Sequence, residues 1–388
     1  MLKTKIKNFF LTLIQLLIFF ILFFEIFSIF ASKLNILAYN DTPHYSFKMK
    51  NGLNWLNEKE IWGAWHKKNY EDEHLKICSD NTVLFNVSYS SNNVGARDEK
   101  DYFKDNNQKN NSIFIGDSMV EGYGINYEQT FKKILEDNTE TNILNFSTSG
   151  NFGPAQYFLI YENLAKNFNH NKIVLFFTAM NDYRDNSISR IESYPGRYRP
   201  YIKKTNSSFE IVYPNNSKKR DDFILYSENK FYNMSIKFLV GFTFSANTIK
   251  TLKLIFSNKK EAVKNNIKNS KEVKINRGYF ANNKRDIDGA FFFIEKLFKN
   301  VQEKEKYIVL IPDENDLRKI NRNKNYKDYY WHLRLKNISK KLNINVIDLA
   351  PILKNFKNDE IFFKCDPHLS PNGNKIIANI LLNKIFKK

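Results

Sequence analysis

Ile113-Phe114-Ile115-Gly116-Asp117-Ser118-Met119-Val120-Glu121-Gly122 places a serine directly after a short apolar run, at the point where the chain turns toward a helix. An apolar run of that length reads as a buried strand. A serine at its end stands on the rim of a sheet, and in parallel α/β sheets the loops leaving the carboxyl ends of the strands carry the site. Ser118 is therefore the candidate nucleophile. Taken alone, the triplet has an ordinary structural explanation, because Asp and Ser are favoured helix caps and Gly-Asp-Ser is a common turn.

Working outward, four more runs have the length of buried strands: 142–145, 173–177, 307–311 and 344–347, beside the first at 112–115. Amphipathic helical patterns lie near 128–138, 154–168, 286–303, 326–342 and 371–386. Strands alternating with helices predict an α/β fold with a central parallel sheet covered on both faces. Three further blocks sit at strand ends or before the last helix. Gly150, after the second strand, can bring its backbone N–H close to a ligand with no side chain in the way. Asn181, in Ala179-Met180-Asn181-Asp182 after the third strand, carries an amide able to donate to a developing oxyanion, or to make an Asx turn. His368, in Cys365-Asp366-Pro367-His368, offers an imidazole to take the serine proton if a carboxylate holds its tautomer.

Gly116-Asp117-Ser118, Gly150, Asn181-Asp182 and Asp366/His368 resemble the blocks that define the SGNH (GDSL-like) hydrolase superfamily. Asn92, Gly95, Arg97 and Asp98 resemble the Asn-x-x-Gly-x-Arg lead-in of its membrane-anchored members, so the resemblance spans about 90–388. It implies a flavodoxin-like three-layer sandwich. It also implies Ser118 as nucleophile, His368 as base and Asp366 as orienting acid, with an oxyanion hole of the Ser118 and Gly150 N–H groups and the Asn181 side chain. The sequence departs from the pattern twice. Ala179 stands where the family has Gly, and the family's Asp-x-x-His is shortened to Asp366-Pro367-His368. The second departure leaves two arrangements open: a triad with Asp366, or a Ser118–His368 dyad oriented by a backbone carbonyl.

From Phe9 to Ala31 the chain is almost wholly Phe, Leu and Ile, broken by Thr12, Gln15, Glu25 and Ser28, which is long enough to cross a hydrocarbon core. A cleaved signal peptide is the competing reading, but its apolar region is shorter and ends at small residues. Lys3, Lys5 and Lys7 precede the run and Lys33 alone follows closely, so the positive-inside rule predicts a cytoplasmic N-terminus and a catalytic domain outside. Glu25 has no explanation at this level. The organisation expected is a Lys-rich tip and transmembrane anchor at 1–31, a stalk or lead-in at 32–110 that includes Trp55, Trp62 and Trp65, and a hydrolase-like domain at 111–388 with an insertion at 184–285. Within the insertion, a second membrane span is the competing reading of Leu239–Phe256, but Asn247, Lys250 and Lys253 break it up. It therefore reads as a packed or amphipathic helix, and the Lys250–Lys274 run as a solvated face.

The 388 residues, hydrophobic to 42%, suffice for one sizeable core. The formal charge of +19 is spread along the chain with abundant Asn and Ile, without a patch interleaved with stacking aromatics, so no nucleic-acid partner is expected. Cys78 and Cys365 are too few for a disulfide framework, and whether they pair is open. The six histidines show no metal-binding spacing, so neither a metal nor a cofactor is expected. The resemblance and the inferred location together imply a serine esterase for O-acyl, chiefly O-acetyl, esters of envelope carbohydrate or lipid. Two alternatives stand: an O-acyltransferase served by a membrane partner that supplies the acyl group, and a non-catalytic glycan-binding or assembly protein.

Overall fold

The computed structural model describes residues 2–33, 56–78, 82–104, 110–150, 152–193, 198–213, 243–245, 248–249, 252, 278–301, 304–322 and 325–387. Trp55 and, apart from Leu252, the Lys250–Lys274 run lie outside the described residues. The chain divides into two compact units, one of residues 50–75, 85–226 and 274–388, the other of 1–49, 76–84 and 227–273.

Strands β1 (Leu56–Glu60) and β2 (Gly63–His66) form an antiparallel pair, and β3 (Tyr70–Ile77) pairs with β4 (Val83–Ser91). The central sheet follows, built from β5 (Asn111–Ile115), β6 (Asn142–Asn145) and β7 (Lys172–Thr178). A two-stranded ribbon, β8 (Tyr201–Lys204) with β9 (Phe209–Val212), falls in the connection after β7. The sheet is completed by β10 (Glu305–Ile311) and β11 (Asn345–Asp348). Its spatial order is β11-β10-β7-β5-β6 and every neighbouring pair is parallel. Numbered within the sheet that order is 2-1-3-4-5, the flavodoxin-like arrangement. All of β5 and β7 is buried. Strands covered on both faces are apolar throughout, which is why they stand out in the sequence.

The direction of travel places the helices. From β5 the chain moves one way to β6, then reverses to β7, β10 and β11. Right-handed crossovers therefore put the β5–β6 helix on one face and the later connections on the other. Helix Phe131–Asp137 packs with the terminal helix Pro371–Leu381, whereas helix Lys284–Lys299 packs with both Pro154–Asn163 and Tyr330–Leu342. In Lys284–Lys299 the buried face runs through Ile287, Ala290, Phe291, Ile294, Leu297 and Phe298, at the spacing of one helical side. Two helical patterns are broken in the structure. The 128–138 pattern starts as a tight turn, Tyr127–Gln129, because Thr130 restarts the helix by accepting from Lys133 N–H. The 154–168 pattern ends its α-helix at Asn163 and finishes in the turn Ala165–Asn167.

Residues 56–98 lack a strong sequence period, yet Trp62 and Trp65 are buried in the main core. Trp65 donates from Nε1 to the Val94 carbonyl at 2.8 Å, and its ring stacks on Phe146. Asn92 organises the following turn, accepting from Val94 and Ala96 N–H and donating to the Lys100 carbonyl. Asp98 then accepts from Tyr102, Tyr127 and Lys132, and Lys132 also reaches Glu136 at 2.7 Å, all with nearly buried side chains. Lys132→Met is expected to cost about 3–5 kcal/mol, because it removes the buried cation that the Asp98 and Glu136 carboxylates share. Urea unfolding followed by circular dichroism measures this; a loss under ~1 kcal/mol, the range of exposed pairs, would refute it.

In the other unit, Lys5–Ala31 of helix Leu2–Lys33 is long and apolar enough to cross a membrane. Glu25 acquires its explanation here. Its carboxylate accepts from Phe244 N–H at 2.8 Å, from Ser245 N–H at 2.9 Å and from the Ser245 hydroxyl. Phe244 and Ser245 open a helical turn, whose first N–H groups have no partner within the helix, and a carboxylate satisfies them.

Candidate active site

The chain reverses direction between β5 and β7, and at such a switch point the diverging connections leave a crevice beyond the strand ends. Ser118 follows β5, and Asn181 follows β7. Asp117 caps helix Ser118–Glu121 by accepting from Met119 N–H at 3.0 Å, so the capping explanation of the Gly-Asp-Ser triplet holds for Asp117 and leaves Ser118 at the first helical position. Gly116 is dictated by packing, since a Cβ there would meet Val120 Cγ2 at 2.4 Å.

His368 arrives from the other end of the chain. It lies on β13 (Asp366–Leu369), which forms a short antiparallel pair with β12 (Phe362–Phe363) just before the terminal helix. His368 Nε2 and Ser118 Oγ are 2.7 Å apart. On the far side of the ring, Nδ1 meets Asp366 Oδ1, and the same oxygen accepts from His368 N–H at 2.9 Å. The shortened Asp-x-His spacing works because the carboxylate folds back over two residues onto both the backbone and the ring. Serine, imidazole and carboxylate are thus hydrogen-bonded in series.

Asn181 sits among acids. Its Nδ2 donates to Asp117 Oδ2 at 3.2 Å and to Asp185 Oδ2 at 2.8 Å, while Oδ1 is buried without a hydrogen-bond partner. The two carboxylates set the amide's orientation and take both its protons. Burial raises the Asp117 carboxyl above its ordinary range, against hydrogen bonds from Met119, Asn181 and Thr178 and the neighbouring His368, which lower it. Burial likewise raises Asp185. Asp182 accepts from Thr178 N–H and from Tyr157 hydroxyl, both at 2.8 Å, and is raised well above the usual range by burial and then by the charge of Asp117. A carboxyl raised in the folded state contributes stability below its unfolded value that is lost as pH rises through the folded one. Wild type is therefore expected to lose ground to Asp182→Asn between pH 4.5 and 7.5. A difference in urea midpoint that does not change with pH would refute this.

Gly150 has a φ of +102°, in the left-handed range that favours glycine, at the turn leaving β6. Arg97, from the lead-in, donates to the carbonyls of Glu121, Gly122 and Ile125 and lies over the Tyr89 ring at 3.9 Å. It thereby satisfies carbonyls at the end of the helix that Ser118 begins. Sequence reasoning missed Tyr123, whose ring stacks on His368 with centroids 4.2 Å apart. It also missed His66, Glu121 and Thr148, which form a buried cluster behind the serine helix. Tyr123 and Glu121 stand within or beside the serine block, but nothing in their spacing marks them. Neither Cys78 nor Cys365 is a free thiol; both are disulfide-bonded. Among the described residues, no group of three or more His, Cys, Asp or Glu side chains is arranged to hold a metal ion.

The chain is thus an α/β protein with a flavodoxin-like parallel sheet that carries serine, imidazole and carboxylate hydrogen-bonded in series at its switch point. Among the solved structures that the chain matches are proteins described as a G-D-S-L family lipolytic protein, a lipase/acylhydrolase and an esterase. One is a member of the lipolytic protein G-D-S-L family from Veillonella parvula, 14% identical, covering 71% of this chain and 97% of that one at a TM-score of 0.32. Another is the lipase/acylhydrolase from Enterococcus faecalis, 11% identical, covering 71% and 95% at 0.36. A third is a two-domain esterase active on acetylated mannans, 11% identical, covering 71% of this chain and 48% of that one at 0.33. At these identities the likeness concerns the fold alone. No protein-family model and no curated protein matches the sequence.

Proposed function

We propose that the chain is a serine esterase that cleaves O-acyl esters, with acetylated envelope glycans as the substrate class. The observation that carries the reading is the 2.7 Å approach of Ser118 Oγ to His368 Nε2, with Nδ1 of the same ring on Asp366. Ser118 Oγ attacks the ester carbonyl while His368 takes its proton, and Asp366 holds the ring tautomer and supports the imidazolium. The backbone N–H groups of Ser118 and Gly150 donate to the tetrahedral oxyanion. Asn181 joins them when one of its protons turns from Asp117 or Asp185 to the more basic alkoxide. His368 then protonates the departing alcohol, and water, activated by the same imidazole, resolves the acyl-enzyme.

The apolar N-terminal helix and the lysines that precede it support a cell-membrane protein whose N-terminus is cytoplasmic and whose active site faces outward. That location supports an envelope ester as substrate. The test is labelling of the full chain in detergent with a fluorophosphonate, alongside acetate release from acetylated saccharides. Wild type labels and releases acetate, and Ser118→Ala does neither. Transfer of acetyl to added saccharide, with little hydrolysis, would mark an acyltransferase instead. An unlabelled folded wild type would leave a non-catalytic protein.

A further inference from the structure

We propose that a second buried imidazole–carboxylate pair, His66 with Glu121, sets the spacing between the two backbone donors of the oxyanion hole. The inference rests on Ser118 being the nucleophile. Glu121 ends the four-residue helix that Ser118 begins, and Thr148 stands two residues before Gly150 in the turn leaving β6. His66, on β2, lies between them. Its Nε2 is 3.1 Å from Glu121 Oε1 and 2.8 Å from Thr148 Oγ1, and its Nδ1 is 2.7 Å from the Gly95 carbonyl. A carbonyl only accepts, so the Nδ1 contact is a ring N–H on Gly95, and Nε2 faces both the Glu121 carboxylate and the Thr148 hydroxyl. The Thr148 hydroxyl has an outlet of its own at the Ser149 carbonyl, 3.3 Å away.

A buried pair of this kind is a poor source of stability, which points to another reason for it. The side chains of His66 and Glu121 are 0% and 1% exposed, and Glu121 Oε2 is buried without a hydrogen-bond partner. A partly satisfied buried carboxylate is worse than an apolar side chain of the same size. What the pair does provide is position. Asn145 Nδ2, at the end of β6, donates to the Val120 carbonyl at 3.0 Å, a first tie between the strand exit and the serine helix. The bridge from Glu121 through His66 to Thr148 is a second tie, one residue further along the helix and three further along the turn leaving β6. Together they hold the segment carrying the Ser118 N–H against the segment carrying the Gly150 N–H. Oxyanion stabilisation depends on donors already being in place when charge develops. His66, Glu121 and Thr148 are in this account positioning residues.

The experiment uses the full chain in detergent and p-nitrophenyl acetate. Thr148→Val, which keeps shape and removes the hydroxyl, is expected to lower kcat roughly tenfold or more with KM within about twofold, as a misplacement near 1 Å does. Thr148→Ser, which restores the hydroxyl, recovers most of that loss. His66→Gln is expected to show the same split between kcat and KM, and thermal melts are run for each variant. An active wild type whose Thr148→Val and His66→Gln forms keep kcat within twofold overturns the inference alone. So does a Thr148→Ser variant that loses as much as Thr148→Val, because the hydroxyl bridge is then not the cause. A wild type that neither labels with fluorophosphonate nor turns over overturns the esterase reading and this inference with it.

Discussion

Ser118→Ala is expected to lower kcat for ester hydrolysis by on the order of 10⁴–10⁶-fold, while the folded domain keeps its melting temperature within a few degrees. The magnitude follows from how the site is built. The serine hydroxyl bonds the imidazole nitrogen opposite the one held by Asp366, and among the described residues no second nucleophile is hydrogen-bonded to that atom. What remains is stabilisation of a water attack by the oxyanion donors and by substrate binding. Ser118 is half-buried and begins a helix whose cap is provided by Asp117, so alanine removes chemistry without removing a structural hydrogen bond of the backbone. Initial rates on p-nitrophenyl acetate and on an acetylated saccharide, with melts in parallel, make the measurement. Retention of more than about a tenth of the wild-type kcat would assign the activity to another residue.

The second large effect concerns Asp366. Asp366→Ala removes both the acceptor that holds His368 Nδ1–H and the charge that supports the imidazolium, and a fall in kcat of about 10⁴-fold is expected. Asp366→Asn is expected to lose less, by at least a factor of ten, for a geometric reason. One oxygen, Oδ1, accepts from both the His368 ring and the His368 N–H. An amide oxygen in the same place keeps both bonds, and with them the tautomer, while the charge is lost. The comparison is made on kcat at a fixed neutral pH. If Asp366→Ala retains kcat within tenfold, Ser118 and His368 work as a dyad and the carboxylate is dispensable.

The two kinds of strand show why part of this fold is legible in the sequence and part is not. Strands β5, β7 and β10 are buried on both faces, so burial alone makes each a near-continuous apolar run that can be found without context. β3, reading Tyr-Glu-Asp-Glu-His-Leu-Lys-Ile, belongs to a two-stranded pair with much of its surface in solvent, and nothing in that string separates it from a loop. The buried Trp62 and Trp65 show the same limit from the other side. Their clustering is visible in the sequence, but their place in the main core depends on partners such as Phe146, some eighty residues away.

By itself the amino-acid order determined the sheet and which chain segments feed its rim, because burial on both faces and the turn chemistry of Gly, Asp and Asn leave their mark in local residues. It also determined the membrane-length helix, a matter of length and apolarity alone. Only the tertiary structure decided that a carboxylate two residues before His368 reaches the ring, that the Asn181 amide is already claimed by two carboxylates, and that His66 and Thr148 meet behind the serine helix. These are angular relations between side chains brought together from distant parts of the chain, and hydrogen bonding depends on such angles, which spacing along a sequence does not encode.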